Sequence, residues 1–286
     1  MNILSKILPP NVARTWGYGL AAAGLAATLS GCVMEGADGS EDLGSSRSAV
    51  SRIGGGAVLG GNSLDLGPNV HMACFLTGMR GHFEGYGEFI QVAPVNGRWV
   101  LSAGSQTGGD ISGAAMCIAQ DVTVTKSWEI GFLGASVPVF LQNDGSCFLQ
   151  RVSGKFEGGG ESVRVYQDAN KNWFLSGSSG NASMRATAAC TGHTFFQSFG
   201  NWAASSWDLD LKLDHSPTER ACFLQGVKGA FQNFNELAWI SPPVGASAKV
   251  RTPWTLHAES TWTAANKLIG ATAGCTGGFN DNPVGL

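Results

Sequence analysis

Carboxylates recur in pairs along this chain. Glu84 with Glu88, and Glu157 with Glu161, stand four residues apart. Two carboxylates flanking one sugar bond are the machinery of glycoside hydrolysis, at separations of about 5 Å or about 6.5–9.5 Å. Two features weaken that reading. Gln232 replaces the first Glu in a third occurrence of the pattern, where only Glu236 remains. A motif present in several copies also serves something that each copy needs, whereas catalysis needs one asymmetric site. A Gly-rich turn with solvated carboxylates explains the pattern most simply. The functional alternative is that Glu88, Glu161 and Glu236 bind a cation or sugar hydroxyls.

The five His are scattered, with His71 and His215 outside any shared frame, His82 opposite Lys155 and Ala230, and His257 opposite Ser102 and Ser176. None lies in an H-E-x-x-H pair, and there is no G-x-S-x-G elbow. No Gly-rich segment carries the Lys-Ser/Thr of a phosphate loop. No catalytic residue, metal ligand or cofactor is expected. Trp99, Trp173 and Trp254 are the side chains best suited to binding, because an aromatic face stacks on the apolar face of a sugar ring. In a W-x-L strand context they equally suit a small core beside a disulfide. Trp202, Trp239 and Trp262 are not shared in this way. They read as unit-specific binding residues or as packing.

These residues belong to a threefold repeat. Cys74-Phe75-Leu76, Cys147-Phe148-Leu149 and Cys222-Phe223-Leu224 open three units, 73 and then 75 residues apart. Seven residues after each Cys comes Gly81, Gly154 or Gly229, and nine after it Phe83, Phe156 or Phe231. The shared Glu follows, then a W-x-L triplet beginning at Trp99, Trp173 or Trp254, and each unit closes on Cys117, Cys190 or Cys275. Agreement at so many offsets marks a triplication.

Six cysteines thus fall two per unit. In an oxidising compartment an even count reads as disulfides. The repeat favours pairing first with last: Cys74–Cys117, Cys147–Cys190 and Cys222–Cys275. By loop-closure entropy each bond contributes roughly 4 kcal/mol, less any strain. Buried free thiols are the alternative. A zinc site is disfavoured because no pair has C-x2-C spacing and Cys190-x-x-His193 is unmatched in the other units.

Strand signals dominate. Ser162-Val163-Arg164-Val165-Tyr166-Gln167 alternates with period two, as does Trp207 to Asp214. Trp128 to Phe132 reads as the counterpart of the latter in the preceding unit, and Leu64-Asp65-Leu66 as a shorter version. Asn96-Gly97 marks a hairpin turn, with Asp168 to Asn172 as its counterpart. About five strands per unit are expected. Composition agrees: Gly supplies 41 of 286 residues, 43% are apolar and only 14% are charged. That excludes a disordered chain and a long-helix protein. A net charge of −3 provides no basic surplus for nucleic acid. The expected fold is all-β, with three tandem disulfide-closed β repeats of about 75 residues packed as modules. A single pseudo-threefold fold, such as a β-trefoil with insertions, is the alternative.

The chain begins with Lys6 and Arg14 and an apolar run from Gly17 to Leu29, too short to span a bilayer core, which needs about 20 residues. It ends in Leu29-Ser30-Gly31-Cys32. This arrangement resembles the lipobox signal of bacterial lipoproteins, over residues 1–32 only. The resemblance implies cleavage after Gly31, diacylglycerol on the Cys32 sulfur and an acylated amino terminus. Val33, rather than the inner-membrane-retaining Asp, implies the outer membrane. Several acyl chains suffice for a stable anchor.

The expected organisation is a signal peptide over 1–31, an acylated flexible tether over 32–60, and β repeats over 61–120, 121–194 and 195–286. Gly54-Gly55-Gly56 reads as part of the tether. The expected partners are the membrane, through Cys32, and a glycan or an envelope protein. The leading expectation is a lipid-anchored binding module for a glycan or cell-wall polymer. A structural or protein-interaction lipoprotein is the second, and a hydrolase of external polymers the third. The first predicts exposed repeat Trp residues, the second buried ones, and the third a single polar cleft that breaks the threefold equivalence.

Overall fold

The computed structural model describes residues 52–106, 110–129, 137–140, 145–180, 183–192, 195–203, 208–211, 220–242, 254–261 and 269–277. All of these fall in one compact unit, Ser46–Leu286. The signal, Cys32, Trp262 and His215 lie outside the described residues.

Eighteen strands are described, six to each repeat. The first unit holds β1 (Arg52–Leu59), β2 (Ser63–Pro68), β3 (Ala73–Gly81), β4 (Glu84–Val95), β5 (Arg98–Gly104) and β6 (Ile111–Ile118). The second holds β7 (Val122–Glu129), β8 (Val137–Phe140), β9 (Ser146–Lys155), β10 (Ser162–Gln167), β11 (Trp173–Ser178) and β12 (Met184–Thr191). The third holds β13 (Phe195–Ala203), β14 (Asp208–Leu211), β15 (Arg220–Lys228), β16 (Leu237–Ser241), β17 (Trp254–Glu259) and β18 (Gly270–Gly277). The strands form three six-stranded sheets, ordered β1-β6-β3-β16-β17-β14, β7-β12-β9-β4-β5-β2 and β13-β18-β15-β10-β11-β8. We call these the first, second and third sheets. Every helix or strand among the described residues is a strand, as composition and period predicted.

The pairings are those of an interlocked fold rather than of self-contained modules. Each sheet takes three strands from one unit and three from the unit before it. β4 of the first unit pairs with β9 of the second, β10 of the second with β15 of the third, and β16 of the third returns to β3 of the first. The physical reason lies at the centre. The Cys-Phe-Leu segments are buried on both faces, so a unit of this size cannot cover them alone. Phe75, Phe148 and Phe223 meet pairwise with ring centroids 5.2–5.4 Å apart. Phe83, Phe156 and Phe231 form a second triad at 5.6–6.0 Å. Their backbones close a ring: Phe83 N–H donates to Phe231 O, Phe231 N–H to Phe156 O, and Phe156 N–H to Phe83 O, at 2.8–3.0 Å.

The shared glycines precede this ring for a steric reason. Gly81, Gly154 and Gly229 have φ of 113°, 113° and 111°. A Cβ on Gly81 or Gly154 would fall within 2 Å of a backbone carbonyl oxygen, of Asp110 or Ser183 respectively. The three disulfides pair as the repeat predicted, Cys74–Cys117, Cys147–Cys190 and Cys222–Cys275. Each joins facing residues of adjacent strands.

Two further expectations are corrected. Residues 52–59, placed in the tether, form β1 and pair along β6, with Gly54, Gly55 and Gly56 opposite Cys117, Met116 and Ala115. Glycine serves here because neighbours crowd the strand: a Cβ on Gly56 would meet the Leu64 side chain at 2.3 Å. Trp128 belongs to the first strand of its unit, not the second. Its backbone faces Ala186 as that of Trp202 faces Ala271, so Trp202 is its counterpart.

Candidate functional site

Trp99, Trp173 and Trp254 are core residues, at most 4% exposed. Trp99 Nε1–H donates to Met72 O at 3.0 Å, and Trp173 Nε1–H to Gly145 O at 3.1 Å. None of the three offers a face on which a sugar ring could stack, so they are not the ligand platform that their types suggested. The W-x-L alternation puts the Trp and the Leu on the inner side of β5, β11 and β17.

The shared carboxylates are also buried, with Glu88, Glu161 and Glu236 at most 7% exposed. Each braces backbone or side chains of nearby loops. Glu88 Oε1 accepts from Gln106 N–H at 3.2 Å, and Glu161 Oε1 from Gly180 N–H at 3.3 Å. Glu236 Oε1 accepts from Asn233 Nδ2 and Thr261 Oγ1, while Oε2 accepts from Asn233 N–H. A buried carboxylate needs such donors, which explains a Glu in every unit without any catalysis. Glu84 and Glu157, the other members of the pairs, sit outside and pair with His82 and Lys155 at 3.0 and 2.7 Å. The two Glu of each pair thus do separate work. His71 pairs with Asp121 at 3.1 Å, both exposed. No group of three His, Cys, Asp or Glu able to hold a metal occurs among the described residues.

The outward faces of the sheets are where the units differ. The second sheet carries a polar row, Ser127–Thr187–Arg151–Gln91–Ser102–Ser63, one residue from each strand in register. Ser127 and Thr187 hydroxyls lie 3.0 Å apart, and Arg151 Nη1 donates to Gln91 Oε1 at 3.0 Å. Arg151 also lies over the Phe89 ring, 5.1 Å from its centroid.

A groove of about 590 Å³ runs along this face, within the usual range for ligand sites. Asn69, Asp121 and Thr125 add polar groups, while Ala93 and Pro94 supply the apolar wall, backed by Met72, Val92 and Trp99, which are buried on the inner side. Burial, and then the Arg185 charge, pull Arg151 below the ordinary guanidinium range, and its Nε finds no hydrogen-bond partner. Arg185 is raised instead, chiefly by its hydrogen bond to Glu129.

Sequence reasoning missed this groove because Gln91 and Arg151 lie at positions where the three units disagree: Gln91 stands opposite Arg164 and Trp239, and Arg151 opposite Gly78 and Gly226. The usable signal was the complement of the repeat: outward strand positions at which the units differ. Compared with known protein families and with curated protein sequences, the chain matches no family and no curated sequence.

Proposed function

We propose that this is a lipid-anchored envelope protein whose interlocked β fold is a binding module for a neutral, hydroxyl-rich polymer, a glycan of the cell wall or surroundings. The groove on the second sheet carries the reading. It joins hydroxyl, amide and guanidinium groups to an apolar wall, the combination that holds a sugar ring by its edges and its faces. Three disulfides fit an oxidising, exported location. The sequence over 29–32 supports anchoring through Cys32, at the outer membrane.

The test is binding of the purified, oxidised lipoprotein to a panel of neutral soluble and insoluble polysaccharides, read by co-sedimentation and Trp fluorescence. Gln91→Ala and Thr187→Val, both half-buried, are expected to weaken a hit about tenfold each, one good hydrogen bond's worth, with the fold retained and stability lowered by no more than about 0.5–1.5 kcal/mol for the bond each loses to Arg151 or Ser127. Binding that ignores both substitutions would overturn the groove as the site. Anchoring is tested separately. Labelled palmitate should be incorporated into the wild-type chain and not into Cys32→Ala, and labelling that persists in the variant would overturn it.

Burial of all three repeat Trp favours a second reading, a structural or protein-interaction lipoprotein. If no polysaccharide binds, that reading leads, and crosslinking in intact cells would seek an envelope protein at the same face. The hydrolase reading has lost its carboxylate pairs to loop bracing and surface ion pairs.

A further inference from the structure

The threefold repeat sets equivalent outward-facing positions side by side on the three sheets. Four positions matter: one and three residues after the shared Glu, and four and six residues after the opening Cys. On the second sheet they hold Phe89, Gln91, Arg151 and Ser153. The Phe89 ring covers Gly104, where a Cβ would meet it at 2.1 Å, and Arg151 spans to Gln91. On the first sheet they hold Leu237, Trp239, Gly78 and Arg80. The Trp239 ring lies on Gly78, within 2.4 Å of an added Cβ, and Arg80 is tied to Phe234 by a hydrogen bond to its carbonyl and by stacking on its ring. On the third sheet they hold Ser162, Arg164, Gly226 and Lys228. Nothing large fills the centre, and a depression of about 250 Å³ opens there.

Its chemistry is of one kind. Arg164 and Lys228 line it together with the hydroxyls of Ser162, Ser176, Ser178 and Thr272, and no carboxylate does. Neither cation has an acidic partner among the described residues. Arg164 faces Gly226 across β10 and β15, and Ser162 faces Lys228. The two residues are therefore diagonal neighbours on one face, their Cβ atoms about 7–8 Å apart at this register. Arg164 is held in place by the Tyr166 ring, 4.6 Å from its centroid, and Tyr166 stacks in turn on Phe174 at 5.7 Å. The floor is open because Gly226 stands at its centre and Gly270 beside it. Thr272 Oγ1 would lie 2.6 Å from any Cβ at Gly226.

We propose that this depression is a binding site for an oxyanion substituent, a sulfate or phosphate ester or a carboxylate, carried on a sugar. Arg164 and Lys228 supply charge-assisted donors, and the Ser and Thr hydroxyls bond the remaining oxygens and the ring hydroxyls. The site is separate from the groove on the second sheet. It rests on the glycan reading only for the choice of a sugar as carrier.

The experiment is calorimetric titration of the oxidised lipoprotein with inorganic phosphate, inorganic sulfate, glucose 6-phosphate, glucose 6-sulfate, glucuronate and plain glucose. The three substituted sugars are expected to bind, more weakly as salt rises, and glucose not to bind here. Arg164→Gln and Lys228→Gln are each expected to weaken binding about tenfold, as loss of a charge-assisted hydrogen bond would. Both side chains are exposed, so the variants should keep the wild-type melting temperature. Ser162→Phe, which installs the residue found at this position on the second sheet, should abolish binding with both charges intact.

Bare phosphate binding as tightly as its sugar ester, and lost in Arg164→Gln, would overturn the sugar carrier. Equal affinity for glucose and glucose 6-phosphate, binding indifferent to the three substitutions, or no binding by any anion would overturn the site. Because the probes are monosaccharides and the substitutions lie off the groove, failure here and failure of the polymer-binding reading are read independently.

Discussion

Gly154 shows how one residue type can be dictated by geometry that a sequence only hints at. Its φ of 113° is closed to ordinary side chains, and Ser183 O stands 1.9 Å from where a Cβ would be. Gly154→Ala therefore adds backbone strain of about 1–3 kcal/mol to a contact that only a shift of backbone can relieve. We expect a loss of at least about 3 kcal/mol, measured by urea denaturation, and a loss under 1 kcal/mol would show that the strand moves freely there. Asp65 gives a residue-scale prediction of another sort. Its carboxylate accepts from Arg98 Nε and from Gly67 N–H, and these bonds hold it below the ordinary aspartate range. With the folded value depressed, the interaction favours the folded state above the ordinary Asp pKa and is lost as pH falls through the folded value. Carbon-13 titration should find the Asp65 midpoint low in the wild type and returned toward normal in Arg98→Ala. An unmoved midpoint would mean that the pair does not persist in solution.

The strands through the opening cysteines show which elements were legible and which were not. The C-F-L triplet announced a buried strand, and the shared offsets found the Gly and Phe that end it. Partner choice was hidden, because three near-identical units present three near-identical edges, and no residue type records whether β4 pairs within its own unit or with the next one. β1 was hidden for the opposite reason: Gly54–Gly56 carry no side chains to show a period, although β6 needs them for close approach. Alternation also could not separate core from surface Trp, since both faces of a half-buried strand obey the same period.

One irregularity in these elements remains informative. Thr77, Gln150 and Gln225 sit at the bulge of β3, β9 and β15, skipped by the register, and all three are buried. Gln150 Nε2 donates to Cys74 O at 2.9 Å and Gln225 Nε2 to Cys147 O at 3.2 Å, each reaching into the preceding unit. Thr77 is too short to repeat the reach to Cys222. Thr77→Gln is expected to complete the third link and add about 0.5–1.5 kcal/mol to the unfolding free energy. A destabilised variant would show that the first unit has closed around the smaller side chain.

At the scale of the whole molecule, the units form a circle closed by β16 on β3, so no unit owns a complete sheet. Residues 195–286 contribute β14, β16 and β17 to the first sheet and β13, β15 and β18 to the third. They also contribute Phe223 and Phe231 to the two central triads. Removing them exposes the apolar faces of the strands left behind, and the loss of two buried Phe alone is of the order of 3–5 kcal/mol each. That sum is comparable with the whole stability of a typical domain, about 5–15 kcal/mol. A chain ending at residue 194 is therefore expected to lose near-ultraviolet circular dichroism altogether, while the full chain melts in one transition. Independent modules predict the reverse: two units that stay folded after truncation, and a full chain that melts in steps. The same closure explains how the surface can vary freely. Core and axis are held in common by the three units, so the outward residues of each sheet carry none of the fold's symmetry. The second sheet can then hold a polar groove, the third a cationic depression and the first an aromatic face on a single scaffold.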